Sequence, residues 1–94
     1  MTVLSRADAS LVAENTFTGE IYVESNELVT LTITGTWAGT VTIQTQLFGS
    51  DAWIDIDSKT ENGRWDIPGG GDNWRAGIKT GDYTSGTAVV TIQG

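Results

Sequence analysis

Two carboxylates, Asp55 and Asp57, alternate with isoleucine in the stretch Trp53-Ile54-Asp55-Ile56-Asp57. Residues i and i+2 of an extended strand share a face, so the sequence predicts the two side chains side by side. Glycosidases work with two carboxyl groups about 5 to 9.5 Å apart. Nothing else in the composition extends that chemistry. The chain has no His and no Cys, which removes Ser-His-Asp triads, thiolate nucleophiles and the commonest general base. A domain of 94 residues also offers no cleft around the pair, and like charges two apart on a strand are ordinary surface. No enzymatic activity, catalytic residue or cofactor is expected.

Asp55 also opens the run Asp55-Ile-Asp57-Ser58-Lys59-Thr60-Glu61-Asn62-Gly63, which starts as a calcium loop starts. The match then fails: Lys59 stands where a ligand belongs, Thr60 replaces the sharp-turn glycine, and the twelfth position is Asp66 rather than glutamate. No metal site is expected. The run Ile67-Pro68-Gly69-Gly70-Gly71-Asp72-Asn73 lacks the Lys and Ser/Thr of a phosphate cradle and leads into no helix. It reads as a connection crossing between sheets. Four tryptophans stand at 37, 53, 65 and 74. Trp65, flanked by Arg64, Asp66 and Asn62, has the makings of a sugar platform. Trp37, in the loop Gly35-Thr36-Trp37-Ala38-Gly39, either folds over the end of the core or is offered outward as a partner anchor.

The elements that would position these residues are strands. After residue 20, apolar and polar residues alternate with period two, and no eleven-residue window keeps a helical period. Turn signals divide this region into seven strands: Glu20 to Glu24, Glu27 to Thr34, Thr40 to Phe48, Ala52 to Asp57, Arg64 to Ile67, Trp74 to Lys79 and Thr87 to Gln93. Short strands at this spacing predict an all-β fold, an antiparallel seven-stranded β-sandwich of immunoglobulin-like size. The expected core is Val29, Leu31, Ile33, Val41, Ile43, Ile78, Val90 and Ile92, with Thr30, Thr32, Thr34, Thr42, Gln44 and Gln46 outside. The last two strands are expected to form a hairpin around Thr80 to Gly86. Arg75 and Lys79 should point outward, and Gly77 between them leaves a gap where a ring or a backbone can lie close.

The division is one sandwich domain, residues 20–94, behind an N-terminal arm, residues 1–19. The arm is expected to be extended, because the stretch is too short and too weakly periodic for a lone helix. Its Val3, Leu4 and Leu11 are costly to leave in water, so the arm is expected to dock by strand addition on a neighbouring subunit or a larger particle surface, with Arg6 pairing a carboxylate there, ahead of the alternative of a first strand packed within its own sandwich. With Trp37, these four are the expected partner-binding residues.

Five Lys and Arg against twelve Asp and Glu leave a net charge of −7 and a pI near 4.1. Such a field repels phosphate backbones and anionic lipid, so neither nucleic acid nor membrane is an expected partner. The opening MTVLSRADASL lacks the apolar stretch of a signal peptide, which sets synthesis in a cytoplasm as the expectation. A core this thin gains from neighbours, so a homo-oligomer is expected, a trimer above other states.

Two stretches carry a family resemblance. Ile43-Gln44-Thr45-Gln46-Leu47-Phe48-Gly49-Ser50-Asp51-Ala52-Trp53 and Trp74-Arg75-Ala76-Gly77-Ile78-Lys79-Thr80-Gly81-Asp82-Tyr83-Thr84-Ser85-Gly86-Thr87-Ala88 resemble small β-sandwich virion proteins of tailed bacteriophages. In these the closing motif reads Tyr-Arg-x-Gly-hydrophobic-Lys-x-Gly-x-Tyr-x-Ser-Gly-Thr-Ala. The chain departs from it in having Trp74 for Tyr, and Ser50-Asp51-Ala52 for a Gly-rich turn. The resemblance implies a multi-copy structural role in the virion, as a head-decoration (cement), head-fibre or tail component made in the host cytoplasm. Its partners would be phage capsid or tail proteins.

Overall fold

A computed structural model describes residues 6–24, 27–46, 52–68 and 72–94. Among them the chain is all-β. The strand segments are β1 (Arg6–Leu11), β2 (Thr16–Phe17), β3 (Ile21–Val23), β4 (Leu28–Thr34), β5 (Trp37–Gly39), β6 (Val41–Gln46), β7 (Trp53–Lys59), β8 (Gly63–Pro68), β9 (Asp72–Ile78), β10 (Tyr83–Gly86) and β11 (Ala88–Gln93). All their pairings are antiparallel. One sheet runs β1-β11-β4-β8. A second runs β2-β9-β6-β7, with β3 also on β9, and β10 pairs with β5.

The seven expected strands correspond to β3, β4, β6, β7, β8, β9 and β11, so the count of seven is corrected to eleven segments among the described residues. The four missed ones carry weak sequence signals. β1 turns Ala7, Ala9 and Leu11 inward, and alanine lacks the β-branched signature of a strand. β2 and β5 are two and three residues long, and β10 ends in glycine.

The final hairpin is also corrected. β9 belongs to the second sheet and β11 to the first. The span from Lys79 to Thr87 is too long for a tight turn, and the chain uses it to cross over. Asp82 N–H closes a turn on Lys79 C=O at 3.0 Å, and Thr40 N–H donates to Asp82 C=O at 2.9 Å. Tyr83–Gly86 then pairs with Trp37–Gly39, and Thr87 N–H reaches Thr36 C=O at 2.9 Å. Gly86 has φ 83° and lies against Trp37, where a Cβ would come within 2.8 Å of the Trp37 Cα. β8 ends at Pro68 in the first sheet and β9 starts at Asp72 in the second, as expected of a connection between sheets, and Gly69, Gly70 and Gly71 themselves lie outside the described residues.

Alternation works as the sequence predicts on the buried side. Val29, Leu31, Ile33, Val41, Ile43, Ile78, Val90 and Ile92 are all within 1% of complete burial and share one cluster with Ile21, Val23, Trp74 and Ala76. That cluster draws from both sheets and excludes water from a continuous apolar interior.

Residues 6–17, expected in a free arm, are part of this fold. β1 pairs with β11 along its whole length, from Arg6 opposite Gln93 to Leu11 opposite Ala88, and Thr16–Phe17 pairs with β9. Leu11 is 3% exposed, inside the core. Its expected role as a partner-binding residue is corrected: β1 continues the alternation of its own sheet, and that burial satisfies both its backbone and its leucine. Val3 and Leu4 lie outside the described residues. We expect Leu11→Ala to lower stability by about 2–5 kcal/mol, measured by urea unfolding. A change near zero would restore the arm to a docking role.

Candidate functional site

The outer face of the second sheet gathers most of the residues with chemical potential. Gly77 on β9 lies opposite Phe17 on β2. With no Cβ there, the Thr16 carbonyl and the Phe17 ring settle onto the β9 backbone; a Cβ would collide with Thr16 O and lie 2.5 Å from Phe17 Cδ1. The gap expected at Gly77 thus holds both a ring and a backbone. The Phe17 ring in turn lies 3.9 Å from the Arg75 guanidinium, which has the Trp53 ring at 4.4 Å. Planar guanidinium groups stack on aromatic faces, and here two rings share one.

Polar bonds extend this stack across three strands. Arg75 Nε donates to Gln44 Oε1 at 2.9 Å, Gln44 Nε2 donates to Asp55 Oδ1 at 2.7 Å, and Lys79 Nζ reaches Asp55 Oδ2 at 2.6 Å. Gln44, expected on a solvated face, is only 6% exposed, because Arg75 and Asp55 close over both ends of its amide. Desolvation pulls the Arg75 guanidinium below its ordinary pKa, opposed by the Glu20 carboxylate. The Gln44 hydrogen bond and then Lys79 hold the Asp55 carboxyl below its ordinary value, and Asp55 raises Lys79 in return.

The two carboxylates that suggested glycosidase chemistry are separated. The ladder between β6 and β7 shifts register so that Ile43 faces Asp57 and Gln44 faces Asp55, with Ile56 as the extra residue. Asp55 therefore follows the outer face and Asp57 the inner side of this edge strand. Asp57 pairs with Lys59 at 3.1 Å, and that bond followed by the Ser58 N–H lowers its pKa. Each carboxylate has its own lysine. Both are held ionised, so neither is poised as a general acid. Among the described residues no group of three potential metal-ligating side chains occurs.

The other candidates are accounted for individually. Trp37 is half-buried against the core, and its Nε1 donates to Asn62 Oδ1 at 2.7 Å while Asn62 Nδ2 donates to Gly35 C=O at 2.9 Å. It folds over the end of the core instead of reaching outward. Trp65 packs inward with Lys59 Nζ 4.9 Å above its ring, so Arg64 and Asp66 lie on the opposite side of β8, and Asn62 is committed to Trp37. No platform forms at Trp65. Arg6 is exposed and bonds both oxygens of Asp8 at 3.2 Å. Trp74 is 3% exposed, and its Nε1 is a buried donor with no hydrogen-bond partner among the described residues.

Sequence reasoning missed the Phe17–Arg75–Trp53 stack. Phe17 lay in the presumed arm, and the only pointer was the glycine opposite it. Comparison with family models, with curated proteins and with solved structures returned no match.

Truncating Arg75 to Ala strips a partner from the buried Gln44 amide and from two rings. We expect a loss of about 1–3 kcal/mol by urea unfolding, with Arg75→Lys recovering only part of it. Acid should act on the same network and on Asp8, whose carboxyl is lowered by Thr91 and then Arg6. A depressed folded-state pKa gives stability that is complete above the unfolded value of about 4 and is lost as pH falls through the folded one. The thermal midpoint is therefore expected to be level near neutrality and to fall below about pH 4, with a shallower fall in Asp55→Asn. An equal slope in the variant would contradict the assignment.

Proposed function

We propose that this chain is a structural protein of a tailed-bacteriophage virion, a multi-copy capsid decoration (cement) protein that binds the major capsid protein. The observation that carries the reading is the free edge of the second sheet. Among the described residues β7 pairs with β6 alone, and it carries Ile54 and Ile56 at 41% and 43% exposure. An open edge strand with exposed isoleucines is a template for strand addition unless it is covered. The bulge at Ile56 and the carboxylates on either side of it guard the edge against indiscriminate pairing and favour a basic partner surface.

The closing motif that resembles phage virion proteins supports the same reading. Its glycines serve architecture: Gly77 seats Phe17, and Gly86 carries the chain past Trp37. Its cations Arg75 and Lys79 are bound within the fold. We read the two larger sheets as the layers of a β-sandwich of immunoglobulin-like size, with β5 and β10 closing one end. The surface, in many copies, is then what the protein supplies to the virion, as a homo-oligomer or in contact with the capsid; head-fibre and tail positions use the same chemistry.

One row of the second sheet favours a second reading, a carbohydrate-binding module. Tyr22, Asn73, Gln46 and Trp53 lie side by side across β3, β9, β6 and β7. Tyr22 is 53% exposed, which leaves an aromatic ring at each end of two amides, the groups that stack on and hydrogen-bond sugars.

Mass spectrometry of purified particles from the phage encoding this chain distinguishes the two. The virion reading expects the chain in stoichiometric amounts. It also expects Ile54→Lys with Ile56→Lys to abolish rebinding to stripped particles while leaving the thermal midpoint nearly unchanged. Absence from particles would sink it.

A further inference from the structure

The outer face of the first sheet carries a charge pattern that the proposed function does not use. The strand registers place Arg6, Gln93, Thr30 and Asp66 in one row across β1, β11, β4 and β8. The next row is Asp8, Thr91, Thr32 and Arg64. Each row thus has an arginine at one end and an aspartate at the other, in opposite order. The bonds repeat the pattern: Thr30 Oγ1 donates to Asp66 at 2.9 Å, and Thr91 Oγ1 donates to Asp8 at 2.7 Å. A local two-fold normal to the sheet, between β11 and β4, relates one row to the other.

The corners of this patch lie about 14 Å apart across the strands and about 7 Å along them, from the ordinary strand spacing and rise. Between them the floor is uncharged and short, a shallow trough of about 220 Å³ lined by threonines and Gln93 between the two arginines. The four charges sum to zero in a chain whose net charge is −7. Two copies of so acidic a chain repel each other at long range, and this neutral face adds nothing to that repulsion.

We infer that this face docks on the same face of a second copy of the chain. The two-fold axis lies in the plane of the interface and across the strands, so the facing sheets run antiparallel. Turning a copy about that axis exchanges the two rows on every strand. Arg64 then meets the partner's Asp66, and Arg6 meets the partner's Asp8. Within the monomer Arg6 already holds Asp8, whereas Arg64 makes no ion pair or hydrogen bond among the described residues and Asp66 has only Thr30. An axis along the strands would instead direct Arg64 at an aspartate already held, so the choice follows from the two uncommitted charges. The threonine floor lets the sheets approach to about 10 Å. The molecular extents of 38 × 26 Å leave room for the roughly 800 Å² per partner of an ordinary interface.

The inference does not depend on the virion reading, and it is tested on the free protein. Sedimentation equilibrium of the full chain should show a dimer at an ionic strength of about 0.1 M that dissociates toward 1 M, as the screening length falls from about 10 Å to about 3 Å. Arg64→Asp and Asp66→Arg should each weaken self-association about tenfold or more, since each puts like charges opposite one another twice per dimer. An equimolar mixture of the two variants restores both pairs and should associate nearly as the wild type does, with circular dichroism melts showing each variant folded. A wild type that is monomeric throughout, or one whose association ignores salt, overturns the inference without requiring any variant to fold. So does a mixture no better than its components. Particle binding is read separately, so either idea can fail alone.

Discussion

The apolar interior shared by the two larger sheets is the constraint from which the rest follows. Leu31, Ile33, Val90 and Ile92 from one sheet and Val41, Ile43 and Ile78 from the other are essentially inaccessible to water, and neither sheet could bury them alone. The chain therefore passes repeatedly from one sheet to the other: β1 to β2, β3 to β4, β4 to β6, β7 to β8, β8 to β9 and β9 to β11 all change sheets. Every crossing has backbone groups to satisfy. β5 and β10 exist for that purpose, as a two-stranded piece that pairs the crossing segments with each other. β1 and β2 solve the same problem at the N-terminal end, by adding to the edges β11 and β9.

Once the core has taken the inward side chains, the outer faces diverge. The second sheet covers itself with the Phe17–Arg75–Trp53 stack and ties its lysines to its own carboxylates. The first sheet keeps a flat floor of threonines between charged corners, with Arg64 unengaged among the described residues. Surface ion pairs contribute little one at a time, so the value of the second sheet's network lies in coupling to the buried Gln44 amide. An unmet hydrogen bond there costs more than a surface pair contributes. Trp74 and Trp65 turn inward and Trp37 is locked by Asn62, while Trp53 stays on the outer face against Arg75.

The alternating pattern made much of this legible. Seven strands and eight core residues can be placed from period two alone, because a strand with one buried face must alternate and β-branched residues mark it. Gly77 announced a close approach. The sequence reading failed where alternation is weak or where position depends on a partner strand. Ala7 and Ala9 carry too little apolar surface to reveal β1. The i and i+2 rule put Asp55 and Asp57 together, but a single-residue bulge, invisible to periodicity, sent them to opposite sides of β7.

What the sequence by itself determined is therefore local: which segments extend, which of their faces is apolar, and that no histidine or cysteine chemistry is available. Tertiary structure alone decided which strands neighbour one another, because hydrogen-bonded pairing between distant segments leaves no trace in either segment's periodicity. It placed β9 and β11 in different sheets although their spacing resembled a hairpin. It set Phe17 over Gly77 from the far end of the chain, and it aligned Arg6 with Asp66, sixty residues away, in rows whose charges oppose.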